Sequence, residues 1–215
     1  MATADVSKPR KAGRPSRPMT REQLLTAATE AFAANGYRGT SLGVIADALG
    51  VRKASLFHHV KNKEMLYLEA LSTILGSLTH LVQEARLGEG GFLERLDRLG
   101  EVVVEFLGGE PCAAKLLYRE MMDEGPFYQN GGKEQALLTL TILSEFFEGA
   151  IRSGDIPQQE SKQLAMSVVG AHLTWFAMDN LSEALQGESI YTQEALESRK
   201  KQIRDQLRRI CGAEA

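Results

Sequence analysis

Residues 20–66 have the sequence TREQLLTAATEAFAANGYRGTSLGVIADALGVRKASLFHHVKNKEML, in which three short helical patterns follow one another closely. The first helix begins at Thr20, which opens a Thr-x-x-Gln capping box, and it ends before Gly36. The second ends at the Gly50-Val51 turn, and the third covers about residues 52–58. Short helices joined by one tight glycine turn predict a helix-turn-helix.

The apolar residues around this turn are spaced to hold the second and third helices together. They are Ile45, Ala46, Leu49, Val51 and Leu56. Such bracing is needed because a helix enters the major groove of DNA only when a second helix supports it from behind. Arg52, Lys53 and Ser55 remain on the outer face, at the end of the third helix that meets base edges. A solvated charged face without a partner is the alternative interpretation.

The order of these residues resembles the DNA-binding signature of the TetR family of transcriptional regulators. The matching residues are Ile45-Ala46-x-x-Leu49-Gly50-Val51, then Leu56-Phe57-x-His59-Val60-x-x-Lys63-Glu64-x-Leu66, and before them Phe32-x-x-x-Gly36-Tyr37-x-x-Thr40-Ser41. The resemblance implies a homodimer with two DNA-binding heads and a larger C-terminal domain that dimerises and binds a small molecule. It further implies a repressor that leaves its operator when the ligand binds.

The resemblance also implies DNA contacts for individual residues. It assigns Arg52, Lys53 and Ser55 to bases or phosphates. It assigns the phosphate backbone to Thr40, Ser41, His59 and Lys63. Phe57 replaces the Tyr that is usual in the family, so we expect His58 or His59 to provide more of the phosphate contact. Gly43 stands where many members have a polar residue or Arg, and specificity is therefore expected to depend on Arg52 and Lys53.

Charge is distributed unevenly along the chain, although its net value is only −3. The first 62 residues hold ten Lys or Arg against four Asp or Glu, and the remainder is acidic. Residues 1–18 lack apolar periodicity and contain three Pro, which predicts a disordered basic arm. Its Gly-Arg-Pro sequence favours insertion of Arg14 into a narrow minor groove, and a purely electrostatic tether is the equal alternative.

The remainder of the chain keeps helical spacing, with no alternating strand pattern. The helices beyond the third are predicted at about residues 62–86, 92–107, 111–124, 133–153, 157–185 and 192–211. We therefore predict an all-α protein of about nine helices. Its predicted parts are the disordered arm at 1–18, a three-helix helix-turn-helix domain at 19–66, and a ligand-binding and dimerisation domain at 67–215. The last two predicted helices are expected to form the dimer.

Two segments of the body combine aromatic, sulfur and polar side chains suited to an adaptable apolar pocket. The first contributes Tyr118, Met121 and Met122, and the second contributes His172, Trp175, Phe176 and Asp179. The second set shares one helix face, so it lines either a pocket wall or the dimer interface. Core packing is the alternative for each residue. Because no charged cluster occurs among them, the predicted effector is mostly apolar or aromatic.

Other classes of protein are disfavoured by the sequence. It has two Cys, no secretory signal pattern and no stretch approaching the ~20 apolar residues of a membrane helix. Neither a catalytic motif nor a metal-ligand spacing is recognisable, so we expect no enzyme, no metal and no cofactor. A cytoplasmic, ligand-responsive repressor of a pseudo-palindromic double-stranded DNA operator is the predicted function. An activator or dual regulator, and a helical interaction or ligand-sequestering module, remain as alternatives.

Overall fold

The computed structural model describes residues 19–213, and these form ten α-helices without a strand. The helices are α1 Arg21–Gly39, α2 Leu42–Ala48, α3 Lys53–Leu56, α4 Lys63–Leu87, α5 Phe92–Gly109, α6 Ala113–Asp123, α7 Lys133–Ser153, α8 Ser161–Ala177, α9 Asp179–Gln186 and α10 Gln193–Ile210. A π-helical turn, Tyr128–Gly132, precedes α7. The predicted all-α class is confirmed.

The head, formed by α1, α2 and α3, follows the local signals closely. The predicted capping box is present, since the Gln23 amide donates to Thr20 Oγ1 and the Thr20 amide donates to Gln23 Oε1, each across 3.1 Å. Gly36 interrupts α1 with φ of 71°, which places the break where the sequence predicts it. The buried side chains of the head include Leu24, Phe32, Ile45 and Leu56.

Helix α4 connects the head to the remaining helices. Asn62 caps its first turn, accepting from the Met65 amide across 2.8 Å, and the helix then packs against α1, α5, α6 and α7. The predicted domain division after residue 66 falls inside this continuous helix. By length and composition α4 is apolar enough to cross a membrane, contrary to the expectation from the sequence. Within its most apolar stretch of 18 residues, 44% is buried inside the protein.

Helices α5 to α10 form the body. The α5–α10 pair is close because Gly100 has no side chain, and a Cβ there would lie 3.1 Å from Leu207 Cδ1. The basic residues of α10 lie beside acids of α5, with Arg204–Glu101 and Arg208–Asp97 ion pairs at 2.5 Å. The cations of α10 therefore stabilise this helix pair.

One predicted helix, 157–185, is two helices in the structure. Helix α8 ends at Ala177, and α9 begins at Asp179. The side chains of Asp179 and Asn180 accept from the amides that directly follow them, across 2.7 and 3.0 Å, and so compete with helical hydrogen bonding. This local competition explains the break, which the apolar spacing alone does not reveal.

Candidate DNA-binding surface and effector cavity

The turn before α3 sets the direction of the exposed basic side chains. Gly50 adopts φ of +65°, a left-handed conformation that favours glycine, and the Val51 amide donates to the Ala46 carbonyl across 3.0 Å. Leu56 and Val60 are buried behind α3. The short helix is therefore held from the rear and exposes its other side.

Six of the predicted DNA-contacting residues are exposed, within α3 or directly beside it. They are Arg52, Lys53, Ser55, Phe57, His58 and His59. Phe57 is 53% exposed, an unusual position for a large aromatic side chain. Ser41 is also exposed, and its hydroxyl oxygen accepts from the Val44 amide across 3.3 Å. Its hydroxyl proton is not needed for this contact. Arg14 lies outside the described residues.

Two predicted phosphate contacts are placed differently by the structure. Thr40 is 2% exposed, and its hydroxyl donates to the carbonyls of Ala31 and Gly36 across 3.0 and 2.8 Å. The Lys63 ammonium donates to the carbonyls of Tyr37 and Thr40 across 2.8 and 3.0 Å, and it lies 4.2 Å from the centre of the Tyr37 ring. Both side chains thus hold the end of α1 in this structure, and a phosphate contact by either of them stays a prediction.

Arg21 is a residue of this region that the sequence interpretation missed. Its guanidinium donates to the His59 carbonyl across 2.7 Å and forms an ion pair with Glu69. It therefore ties the segment after α3 to both α1 and α4. Because both partners are distant from Arg21 in the sequence, by 38 and 48 residues, no local pattern identifies them.

The body contains a cavity of about 380 Å³ bounded by α4, α5, α6, α7 and α8. Three of the predicted ligand-contacting residues, Tyr118, Met121 and His172, line it. Most of the remaining lining is aliphatic: Leu75, Leu78, Val82, Leu99, Val103, Leu117, Leu140, Leu143, Val168, Val169 and Leu173. These aliphatic residues were not predicted, because their helical spacing is the same as that of an ordinary core.

Four predicted ligand residues lie outside this cavity. Met122 points outward and is 69% exposed, whereas Phe176 is completely buried in the core. Trp175 stacks with the Arg199 guanidinium at 4.6 Å, and Asp179 forms a 2.8 Å ion pair with Lys115. None of these four residues lines this cavity, so for Trp175, Phe176 and Asp179 the alternatives of core packing and the dimer interface remain. Trp175 and Phe176 are neighbours on α8, which several helices surround, and they therefore meet different partners.

His172 is the polar side chain buried deepest beside this cavity. It is 3% exposed, and burial together with the positive charge of Arg199 lowers its pKa to about 4, although its hydrogen bonds with backbone carbonyls act in the opposite direction. The imidazole is therefore neutral near pH 7.

Helix α6 contacts both the cavity and the head. Beside the lining residues Tyr118 and Met121, Arg119 donates to the Ala33 carbonyl of α1 across 3.2 Å. Glu120, which is 2% exposed, accepts from the Tyr67 hydroxyl of α4 across 2.6 Å. Burial and the adjacent carboxylate raise the pKa of Tyr67 far above its ordinary value. One helix thus links the cavity to the support of α3.

Comparison with known proteins places these features in a known class. Residues 24–70 match the family model described as bacterial regulatory proteins, tetR family. The transcriptional repressor KstR2 of Mycolicibacterium smegmatis is 29% identical over 137 residues, covering 61% of this chain and 67% of the relative.

Solved structures agree with the fold along most of the chain. A tetR-family regulator from Rhodococcus RHA1 superposes with a TM-score of 0.73 at 16% identity, covering 92% of this chain and all of that structure. AibR in complex with isovaleryl coenzyme A and operator DNA superposes with a TM-score of 0.67 at 19% identity, covering 90% and 98%. At these identities the structures establish the fold alone.

A braced, exposed basic helix in an all-α chain defines a helix-turn-helix transcriptional regulator. The family model that matches residues 24–70 and the similar relatives support a TetR-family transcriptional regulator.

Proposed function

We propose that this protein is a cytoplasmic, dimeric repressor that leaves its operator when an apolar effector occupies the body cavity. The observation that carries the proposal is the position of α6, which lines the cavity and also contacts α1 and α4. In this proposal residues 19–66 bind DNA, residues 67–215 bind the effector and the second subunit, and residues 1–18 form a basic arm.

The exposed side of α3 is proposed to bind the major groove. Arg52, Lys53 and Ser55 would contact bases, as their exposure at the start of α3 permits. The residues proposed to contact phosphates are Ser41, Phe57, His58 and His59, the aromatic ring by packing against the sugar-phosphate backbone. Arg14 would extend the contact into the neighbouring minor groove. Two heads would then contact half-sites roughly 34–36 Å apart.

The effector is proposed to be apolar because aliphatic side chains make up most of the cavity lining. Each methylene buried there contributes about 0.8 kcal/mol to binding. AibR, which shares the fold, binds isovaleryl coenzyme A, and this supports a small-molecule effector with an apolar part. An effector that fits one arrangement of α6 better than another would shift the population away from the DNA-binding conformation.

The second subunit is proposed to pack on α8 and α9. Met166, Met178, Leu181 and Leu185 are exposed there, by 58, 42, 60 and 80%. Gly170 is also exposed on α8, and a Cβ at its position would meet nothing within 4 Å, so a partner helix could approach closely. The sequence predicts that the helices at 157–185 and 192–211 form the dimer. The apolar residues of α10 are buried against α5, which favours α8 and α9, the helices within 157–185, over α10.

The DNA-binding part is tested by selecting operator sequences from a random duplex pool and measuring affinity against salt concentration. We expect a steep decrease in affinity with salt, and Lys53→Ala should relax sequence preference by ~1–3 kcal/mol if Lys53 contacts a base. Lys201→Ala is the matched control, since Lys201 is an exposed cation of α10, a helix that packs against α5 and α8. A flat salt dependence with no selected sequence would instead support an interaction module.

A reporter promoter that carries the selected operator tests whether the protein represses or activates transcription. Repression that is relieved by an apolar effector supports the proposal. Transcription that increases when the protein binds upstream would identify an activator, which uses the same DNA chemistry.

A further inference from the structure

The opening of the body cavity lies along α8. Seven residues of this helix line the cavity, and their exposure increases in one direction around the helix, from buried through half-buried to exposed. In that order they are Val168 and His172, then Val169 and Leu173, then Met166, Gly170 and Thr174. Because Gly170 has no side chain, its backbone itself borders the cavity and meets solvent. The cavity therefore opens beside Gly170.

The exposed side of α8 lacks the charges that a solvated helix face normally carries. Residues 163–178 contain no Lys, Arg, Asp or Glu. The exposed residues among them are Gln163, Met166, Ser167, Gly170, Thr174 and Met178. The centres of protein interfaces are depleted of charged residues and enriched in Met, so this side of α8 has the composition of a surface that a partner covers.

The cavity opening overlaps the surface that is proposed above to contact the second subunit. Met166 and Gly170 belong to both, and that surface continues beyond the opening through Met178, Leu181 and Leu185. A Cβ at Gly170 would meet nothing within 4 Å, so the backbone of a partner helix can approach the opening closely. A subunit that packs on α8 and α9 would therefore lie across the opening.

We propose that the second copy of this chain closes the cavity, so that residues of both subunits enclose each effector. An apolar ligand held by one subunit alone keeps part of its surface in water at the opening, and the partner subunit removes that exposure. The dimer therefore binds an apolar ligand more tightly than the monomer does. This inference rests on the proposed function in taking the cavity as the effector site and α8 with α9 as the subunit contact.

Closure by the partner links effector binding to the association of the subunits. Thermodynamic linkage requires the ligand to strengthen the dimer by the same factor per site by which the dimer strengthens ligand binding. A ligand that strengthens the dimer cannot release the operator by separating the subunits. Release then comes from a dimer whose two heads no longer match the spacing of the half-sites.

The test uses N-phenyl-1-naphthylamine, an uncharged aromatic probe whose fluorescence increases in apolar surroundings. Leu181→Glu combined with Leu185→Glu places charge on the proposed contact, and both leucines are exposed residues of α9 that do not line the cavity. Sedimentation should show that this double variant is a monomer. Its affinity for the probe should be at least about tenfold lower than that of the unmodified dimer.

The matched control is Leu137→Glu combined with Leu138→Glu. These leucines of α7 are 52 and 54% exposed and also lie outside the cavity lining. The control should remain a dimer and bind the probe with the affinity of the unmodified chain. A monomeric α9 variant that binds the probe with unchanged affinity overturns the proposal. An α9 variant that remains a dimer also overturns it, because the subunits then meet on another surface.

Two further measurements report closure directly. In the unmodified chain, saturating probe should lower the dissociation constant of the dimer about a hundredfold, because each of the two sites contributes about tenfold. Acrylamide, a water-soluble quencher, should reach the bound probe several-fold less readily in the dimer than in the monomeric variant. A dissociation constant that the probe leaves unchanged overturns the proposal even if the variant fails to fold.

Operator affinity measured with the same probe separates this inference from the proposed function. If the probe strengthens the dimer but leaves operator affinity unchanged, closure by the partner stands and ligand-responsive repression fails. If the probe releases the operator but binds the monomeric variant as tightly as the dimer, the proposed function stands and closure by the partner fails.

Discussion

The hydroxyl of Tyr67 donates to Oε2 of Glu120 across 2.6 Å, and this buried contact joins α4 to α6. The other carboxylate oxygen of Glu120 accepts from the Tyr128 amide across 2.9 Å. One step earlier in α6, Arg119 reaches the Ala33 carbonyl of α1. A displacement of α6 by an occupied cavity would therefore alter polar contacts with α4 and with α1 of the head.

Tyr67→Phe tests the contact between α4 and α6. Removing the hydroxyl leaves one oxygen of a buried carboxylate without its donor, which should lower the free energy of unfolding by about 1–3 kcal/mol. Chemical denaturation followed by circular dichroism measures the change. Tyr118→Phe is the matched control, because Tyr118 is 40% exposed and should lose less than about 0.5 kcal/mol. Equal losses for the two variants would contradict the structural role of Glu120.

Arg119→Ala tests transmission from the cavity to the head. Arg119 does not line the cavity, so the affinity for an apolar effector should stay within about threefold. Its contact with α1 is lost, and the effector should then reduce operator affinity by a smaller factor than in the unmodified protein. Paired calorimetric and DNA-binding titrations measure the two quantities. A normal effector response in this variant would exclude Arg119 from the coupling.

Lys63→Met separates a structural cation from one that contacts phosphate. The Lys63 ammonium is held by two carbonyls of the α1 end, so its loss should reduce stability by about 1–2 kcal/mol. The slope of log affinity against log salt should nevertheless stay unchanged. Lys53→Met, which removes an exposed cation, should reduce the magnitude of that slope by about 1 if Lys53 contacts phosphate. A comparable reduction for Lys63→Met would show that it binds phosphate after all.

Gly50→Ala tests the turn before α3. A Cβ at Gly50 would meet nothing within 4 Å, so the cost comes from the backbone conformation at φ of +65° and should be about 1 kcal/mol. Gly149→Ala is the control, because Gly149 lies within α7, is equally free of neighbours and lacks a positive φ. That substitution should stabilise the protein by about 0.5–1 kcal/mol. Thermal denaturation should show opposite shifts for the two variants.

His172 should make stability depend on pH. Its pKa is lowered to about 4 in the folded protein from 6.5, because burial disfavours the imidazolium. The unfolded chain therefore binds a proton first as the pH falls, and the contribution to stability present above pH 6.5 is lost progressively toward pH 4. Linkage gives a loss of about 3 kcal/mol by pH 4. Denaturation of the unmodified protein and His172→Gln at several pH values should show a difference that shrinks over this window.

The local features of the head were predictable because their causes are local. The Thr20–Gln23 capping box, the break at Gly36 and the turn at Gly50 each depend on residues within one or two helical turns. The exposed positions of Arg52 and Lys53 follow from the apolar spacing of the same segment. The break between α8 and α9 also has a local cause, the side chains of Asp179 and Asn180. The continuous apolar periodicity of residues 157–185 concealed this break in the sequence.

The sequence by itself determined the helical class, the helix-turn-helix and the basic character of its outer face, since periodicity, capping and turn chemistry are written in neighbouring residues. Only the tertiary structure decided that Lys63 and Thr40 hold the end of α1 and that Glu120 accepts from Tyr67. It also decided that His172 lines the cavity whereas Trp175 does not. These relationships depend on how helices distant in sequence pack together. Helical spacing specifies that a face is apolar, but it does not specify which neighbouring helix covers that face or where a space remains between them.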